Sequence, residues 1–367
     1  MKCISNSSKP RSKGRMVFFW CGLFCITTGL NLAARLVPGF AEWYAVWIYP
    51  VFVNTVGRFC SLFPVSVIEL SIYLIVVTLL AGVIVLCRGK LRLRRAAGIL
   101  VKFLLVLFAL FTLNCGINYH RTSFSERAGF TIQKSTKEEL IVLCEFLVEE
   151  VNAAAEGLPV DEQGVCKVEC DRIQEAKKAM QKAAEEYPEL SGYYPDAKPV
   201  LSTWYLSWQL LQGVYSPFTV EANYNRGMPD QDQPSTICHE LSHLKGFMRE
   251  DEANFISYLA CRVSDRQEFR YSGSLLAYIY AGNALYKQDV EAYREVSAGL
   301  CEQAVRDLQA HNAYWAQYRG TVAEVSDKLN DAYLKANAQE DGVKSYGRMV
   351  DLLLAWKREH SEESERQ

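Results

Sequence analysis

Histidine is scarce in this chain, with five residues among 367. A metal site built from several imidazoles therefore has few positions to draw on. Neither sign of charge dominates: 40 lysines and arginines face 42 acids, a net charge of −2, and nothing in that balance points to nucleic acid. No internal repeat is present, which excludes solenoids and propellers. No low-complexity tract occurs apart from the charged tail 357–367, which reads as a frayed end. Paired cysteine motifs are lacking too. Cys166 and Cys170 have no second pair of the kind a zinc ribbon needs, so they read as a loop disulfide or as free thiols.

Long apolar runs, by contrast, are abundant, and all lie before residue 120. Three stretches, about 17–37, 66–87 and 96–117, are long enough to span a bilayer. Within the third, Lys102 lies toward one end and can snorkel to the interface. Residues 43–57 are apolar but short, hold Pro50, and are dense in Trp43, Tyr44, Trp47 and Tyr49. Such a segment is expected to lie in the interface rather than cross it. The two basic clusters, Lys2 to Arg15 and Arg88 to Arg95, should both be cytoplasmic. Two crossings between them meet that requirement, and the third span then carries residues 120–367 outside. The expected organisation is a membrane anchor over 1–119 and one extracytoplasmic domain over 120–367.

In that domain, residues 120–134 read as a juxtamembrane linker. Ser135 with Glu138, or Thr136 with Glu139, can form a capping box for a helix ending near Ala155. A charged helix is expected from Asp171 to about Glu186. One or two strands are expected between Lys198 and Asn225, where β-branched and aromatic residues cluster. After residue 233 the pattern is helical almost to the end, with further helices near 271–286, 289–318, 322–337 and 344–358. The domain is thus expected to be α+β and mostly α-helical. Cys144, Cys166, Cys170, Cys238, Cys261 and Cys301 permit disulfides without specifying them. Cys238 and Cys261 either staple two helices or remain buried thiols.

Cys238-His239-Glu240-Leu241-Ser242-His243 is the stretch that carries chemistry. Positions four apart share a helix face, so His239 and His243 can reach one ion while Glu240 sits about 100° further round. Two imidazoles and a neighbouring carboxylate are what a zinc hydrolase needs. Pro234, Ser235 and Thr236 offer a helix start, and Gly246 a left-handed stop. A third ligand is expected from Glu250 or Glu252, which lie about 200° apart on a helix. Glu250 is preferred, because its face continues through small or polar Ala253, Asn254 and Ser257. Asn254 can accept a hydrogen bond from the outer nitrogen of a ligand histidine. The face of Glu252 continues through Phe255, Ile256 and Leu259 and reads as core. Tyr346 and Arg348 are conceivable donors to charge developing in a transition state, although a surface turn is the plainer reading. One Zn2+ per chain is expected, with Glu240 as general base.

Asn118-Tyr119, the run 216–223, Cys238 to His243, Glu250 to Phe255, Tyr333-Leu334-Lys335 and Asp341 to Gly347 together resemble domain-of-unknown-function family 3810. These are bacterial membrane-anchored proteins grouped with zincin-type peptidases. The resemblance implies a gluzincin-like fold and brings no known substrate. A membrane-bound zinc metallopeptidase acting on a protein or peptide is the first functional expectation. Its rivals are a non-catalytic zinc-binding sensor or scaffold and a zinc hydrolase of non-peptide envelope material. Glu240 speaks against the sensor, since a structural site does not need it.

Overall fold

The computed structural model describes residues 11–337, 339 and 348–366, and these are mostly helical. Three helices are long and apolar enough to cross a membrane: α1 (Arg11–Leu36), α5 (Val67–Cys87) and α6 (Leu93–Phe111), the last continuing through a π-turn and a 3₁₀ turn to His120. Their apolar side chains are largely uncovered by protein. The C-terminal end of α1, the N-terminal end of α5 and the C-terminal end of α6 all meet the remainder of the fold. Arg11, Lys13 and Arg15 at the start of α1, and Arg88 to Arg95 between α5 and α6, flank the opposite ends.

Between α1 and α5 run the short helices α2 (Phe40–Trp47), α3 (Tyr49–Phe52) and α4 (Arg58–Ser61). This segment does more than lie in an interface. Tyr44, Tyr49, Val53 and Cys60 are buried, while Trp43, Trp47 and Phe59 point outward. One face of the segment belongs to the protein core and the other is apolar and uncovered. The anchor and the domain are therefore not separated near residue 119.

The expected linker 120–134 is also structural. It contains α7 (Phe124–Ala128), started by a Ser123–Glu126 capping box. Phe124 is fully buried among Phe130, Phe247, Phe255 and Tyr187, with ring centroids 5.4 to 6.4 Å away. Burying such a ring contributes about 1.5–3 kcal/mol, enough to hold the segment down.

The domain continues with α8 (Lys137–Ala155), where Thr136 and Glu139 form the capping box. Then comes α9 (Arg172–Glu186), capped by Asp171. A three-stranded sheet follows, in the order β1 (Lys198–Pro199), β3 (Glu221–Tyr224), β2 (Gly213–Ser216), with α10 (Thr203–Ser207) between β1 and β2. β1 pairs parallel to β3, and β2 antiparallel. The metal-motif helix α11 (Gln233–His243) and its partner α12 (Glu250–Arg262) pack against the sheet, α9 and α13 (Gln267–Gln288).

The helix expected over 289–318 is two: α14 (Val290–Ser297) and α15 (Glu302–Ala316). Asn152 on α8 fixes the break, donating to Gly299 O at 2.7 Å and accepting from Cys301 N at 2.8 Å. Helices α16 (Thr321–Ala336) and α17 (Met349–Arg366) complete the chain. Among the described residues no disulfide forms. Cys238 and Cys261 are buried neighbouring thiols.

Candidate metal centre

Helix α11 begins earlier than its hydroxyl residues suggest, with Asp232 rather than Ser235 or Thr236 at its N-cap. Those hydroxyls turn back instead, donating to Asp232 O at 3.3 and 2.8 Å. At the other end Gly246 adopts φ 82°, the left-handed conformation that lets the chain reverse into α12. The reversal brings the N-terminal turn of α12 against the two histidines.

Glu250 is the acid that arrives there. Its carboxylate lies 3.2 Å from His239 Nε2 and 3.8 Å from His243 Nε2, and the two Nε2 atoms are 3.1 Å apart. Bond lengths of about 2.0–2.2 Å around a tetrahedral zinc put donor atoms roughly 3.3 Å from one another. The three side chains are thus spaced as that ion's ligands are. Glu252 faces the other way. It is buried, accepts a hydrogen bond from Phe124 N at 2.9 Å and lies 3.8 Å from Arg249. Burial pushes its carboxyl up to about 7, with Arg249 offsetting. Its partner is the start of α7, which fastens residues 120–128 to α12.

The outer ring nitrogens fix the tautomers. His239 Nδ1 is 2.8 Å from Asn254 Oδ1, whose amide nitrogen in turn donates to the Tyr280 hydroxyl at 3.1 Å. That assignment of the Asn254 amide makes His239 Nδ1 a donor. His243 Nδ1 likewise donates to Phe247 O at 2.8 Å. In the neutral rings both Nε2 atoms then carry lone pairs, aimed at each other and at a carboxylate. Such an arrangement repels itself unless a cation sits between. Without a metal ion, a proton held on one ring relieves the same crowding. Burial draws His243 down to about 4. His239 is raised, because the Glu250 carboxylate outweighs the burial that pulls it down.

Glu240 is buried beside this cluster, and its Oε2 has no hydrogen-bond partner among the described residues. Burial pushes its carboxyl up to about 8, with His239 opposing and Glu250 adding. A divalent ion at the histidines would favour the ionised form. Strand β2 passes directly over the carboxyl at Gly213. A Cβ there would collide with Glu240 and approach Asn223 O to 2.8 Å, so only glycine lets the strand come this close.

These groups line a cavity of about 500 Å³. Its walls include Tyr280 on α13, which sequence reasoning did not single out, and Tyr119 beyond α6 and Tyr333 on α16, which it met only among the motifs of the family resemblance and gave no place in the site. Helical spacing makes such tyrosines look like core, and only the fold turns them toward the cavity. Tyr119 donates to the Tyr333 hydroxyl at 3.1 Å. Tyr215 also lines the cavity and donates to Asn114 O at 3.0 Å, while the Tyr49 hydroxyl lies 2.9 Å from it and 3.3 Å from His243 O. Arg348 instead lies 3.4 Å from Asp251 and is not among the lining residues. Tyr346 lies outside the described residues.

No curated protein and no solved structure matches this chain. One family model does, that of the proteins of unknown function DUF3810. It matches residues 44–354, a span that begins in α2 and so takes in the partly buried segment between α1 and α5. The chain belongs to the DUF3810 family.

Proposed function

We propose that this protein is a membrane-bound, zinc-dependent metallopeptidase with the fold of a zincin. The supporting observation is the convergence of His239 Nε2, His243 Nε2 and Glu250 on one point, beside an unpartnered Glu240 carboxylate in a cavity. His239, His243 and Glu250 would hold the ion. When bound, zinc supplies Lewis acidity to a carbonyl and lowers the pKa of its water to about 7.

The chain's own residues do the rest. Glu240 takes the proton of the attacking water as its oxygen adds to the scissile carbonyl, then delivers it to the departing amine. Asn254 and Phe247 O hold the two imidazoles in orientation. β2 favours a peptide over other carbonyl substrates. It is an edge strand, pairing with β3 alone among the described residues, and Gly213, Val214 and Tyr215 line the cavity. An extended segment can add to that edge by main-chain hydrogen bonds. Arg11, Lys13 and Arg15, with Arg88 to Arg95, flank the ends of α1, α5 and α6 remote from the domain and support a cytoplasmic N-terminus and a catalytic domain outside.

Glu240→Gln tests the assignment. Gln keeps the shape of the side chain and cannot accept the proton. Zinc content should stay unchanged, while cleavage of a peptide library by the purified protein should fall about 10²–10⁴-fold. Cleavage at the wild-type rate by this variant would remove the general base.

A further inference from the structure

The segment between β1 and β2 carries no charged residue from Val200 to Gly213, and it is fastened to the second membrane helix. Glu69, in the first turn of α5, accepts hydrogen bonds from Leu201 N at 2.8 Å and Ser202 N at 2.7 Å. The Tyr73 hydroxyl lies 2.6 Å from Ser202 Oγ. The 21 residues of α5 extend about 31 Å at 1.5 Å per residue. That matches the ~30 Å of hydrocarbon in a bilayer, so the start of α5 marks one hydrocarbon boundary. Tyr73 lies about 9 Å further along the axis. Helical side chains lean back toward the N-terminus, which places Ser202 where headgroups meet hydrocarbon.

At that level the segment presents Leu201, Trp204, Tyr205, Trp208 and Leu210, each between 40% and 52% exposed. Trp204 and Trp208 meet edge to face with centroids 5.0 Å apart. A contiguous uncharged patch of this kind is rare on a surface bathed in water. Tryptophan and tyrosine are the side chains that concentrate at the edge of a bilayer. The patch also runs into the candidate metal site. Leu210, Leu211 and Gly213 line the cavity, and the facing wall includes Phe111, the last residue of the α6 helix. The cavity is therefore bounded by two elements tied to the membrane.

We propose that residues 201–210 are immersed in the interfacial layer of the bilayer and that the metal cavity opens at the lipid surface. Its substrate is then the membrane-proximal stretch of a polypeptide anchored in the same bilayer. The docking stands on the geometry alone; the substrate class rests also on the hydrolase reading.

Depth-resolved fluorescence quenching separates the two. Full-length protein is placed in vesicles of phosphatidylcholine brominated at acyl positions 6 and 7, and quenching is compared with that by aqueous iodide. The double variant Trp204→Phe, Trp208→Phe should lose part of the lipid-quenched emission, and adding Leu210→Trp to it should restore that part. Trp356→Phe, at a buried position, should leave the lipid-quenched emission as it was. If the double variant loses only iodide-quenched emission, the segment lies in water and the docking is wrong. In the second arm the same vesicles receive one peptide sequence with and without a palmitoyl anchor. Confinement to the surface should speed cleavage of the anchored form by about tenfold or more. Equal rates would overturn delivery from the bilayer. Cleavage of neither peptide, with lipid quenching intact, would remove the hydrolase reading and its substrate class while the docking stands.

Discussion

At the scale of single residues, the candidate site depends on groups that never touch a metal. Asn254 is the clearest case, because its amide is locked from both sides by His239 and Tyr280. Asn254→Ala should lower zinc affinity about 10–100-fold with the fold intact, as read by competition with a chromophoric chelator; an unchanged affinity would mean that the histidine is oriented by something else. His239, Glu240 and His243 were legible in the sequence because the i, i+4 spacing and the intervening acid form a motif. The approach of Glu250 was readable from the company it keeps on its helix face. Asn254 was readable for the same reason. The place of Tyr280, Tyr119 and Tyr333 in the cavity wall was not, since a tyrosine at helical spacing looks the same whether it faces core or cavity. Arg348 shows the converse: read as a conceivable donor beside the plainer surface turn, it lies 3.4 Å from Asp251 and outside the cavity lining.

At the scale of elements, the ends of helices carry much of the arrangement. Asp232 stands at the N-cap of α11 and lies 2.8 Å from His311 Nδ1. Burial pulls that imidazole down, and the hydrogen bond and charge of Asp232 more than offset it, so its pKa is raised above 6.5. A group raised in the folded state stabilises it fully below the unfolded pKa of about 6.5, and that contribution is lost as pH rises through the higher folded value. His311→Gln should therefore lower Tm more at pH 5.5 than at pH 8.5. An equal loss at both values would contradict the pairing.

The start of α5 is held in a similar way. Glu221 on β3 accepts from Val67 N and Ile68 N at 3.1 and 2.9 Å, and lies 2.6 Å from Lys198, with both side chains buried. Glu221→Ala leaves a buried ammonium unpaired and should cost about 3–5 kcal/mol; a denaturation shift under about 1 kcal/mol would show that the pair is a surface bridge in effect. Neither device was visible in the sequence, because each joins residues far apart in the chain. Local signals fared better. The Thr136–Glu139 box and the Gly246 turn both depend on neighbours a few residues away. The break at Gly299 escaped notice because its cause, Asn152, lies on another helix.

At the scale of the whole molecule, one end of each of the three helices long and apolar enough to cross a membrane is packed against the domain. Residues 43–57, read as an interfacial segment, and 120–134, read as a linker, supply buried aromatic residues to the core. Composition does not say which side chains of such stretches the protein covers; in the first, Tyr44, Tyr49 and Val53 are buried while Trp43 and Trp47 stay uncovered. The consequence is that the candidate metal site is supported from the membrane side, through Tyr49 at His243 O and through the residues beyond α6 that line the cavity. The account stands or falls on that site. Its most direct test is the zinc content of purified full-length protein, prepared without chelators, for the wild type beside Glu250→Ala and Glu252→Ala. We expect one zinc per chain in the wild type, none in Glu250→Ala, and one in whatever fraction of Glu252→Ala remains folded. A wild type without stoichiometric zinc, or loss of metal in Glu252→Ala alone, would contradict the account.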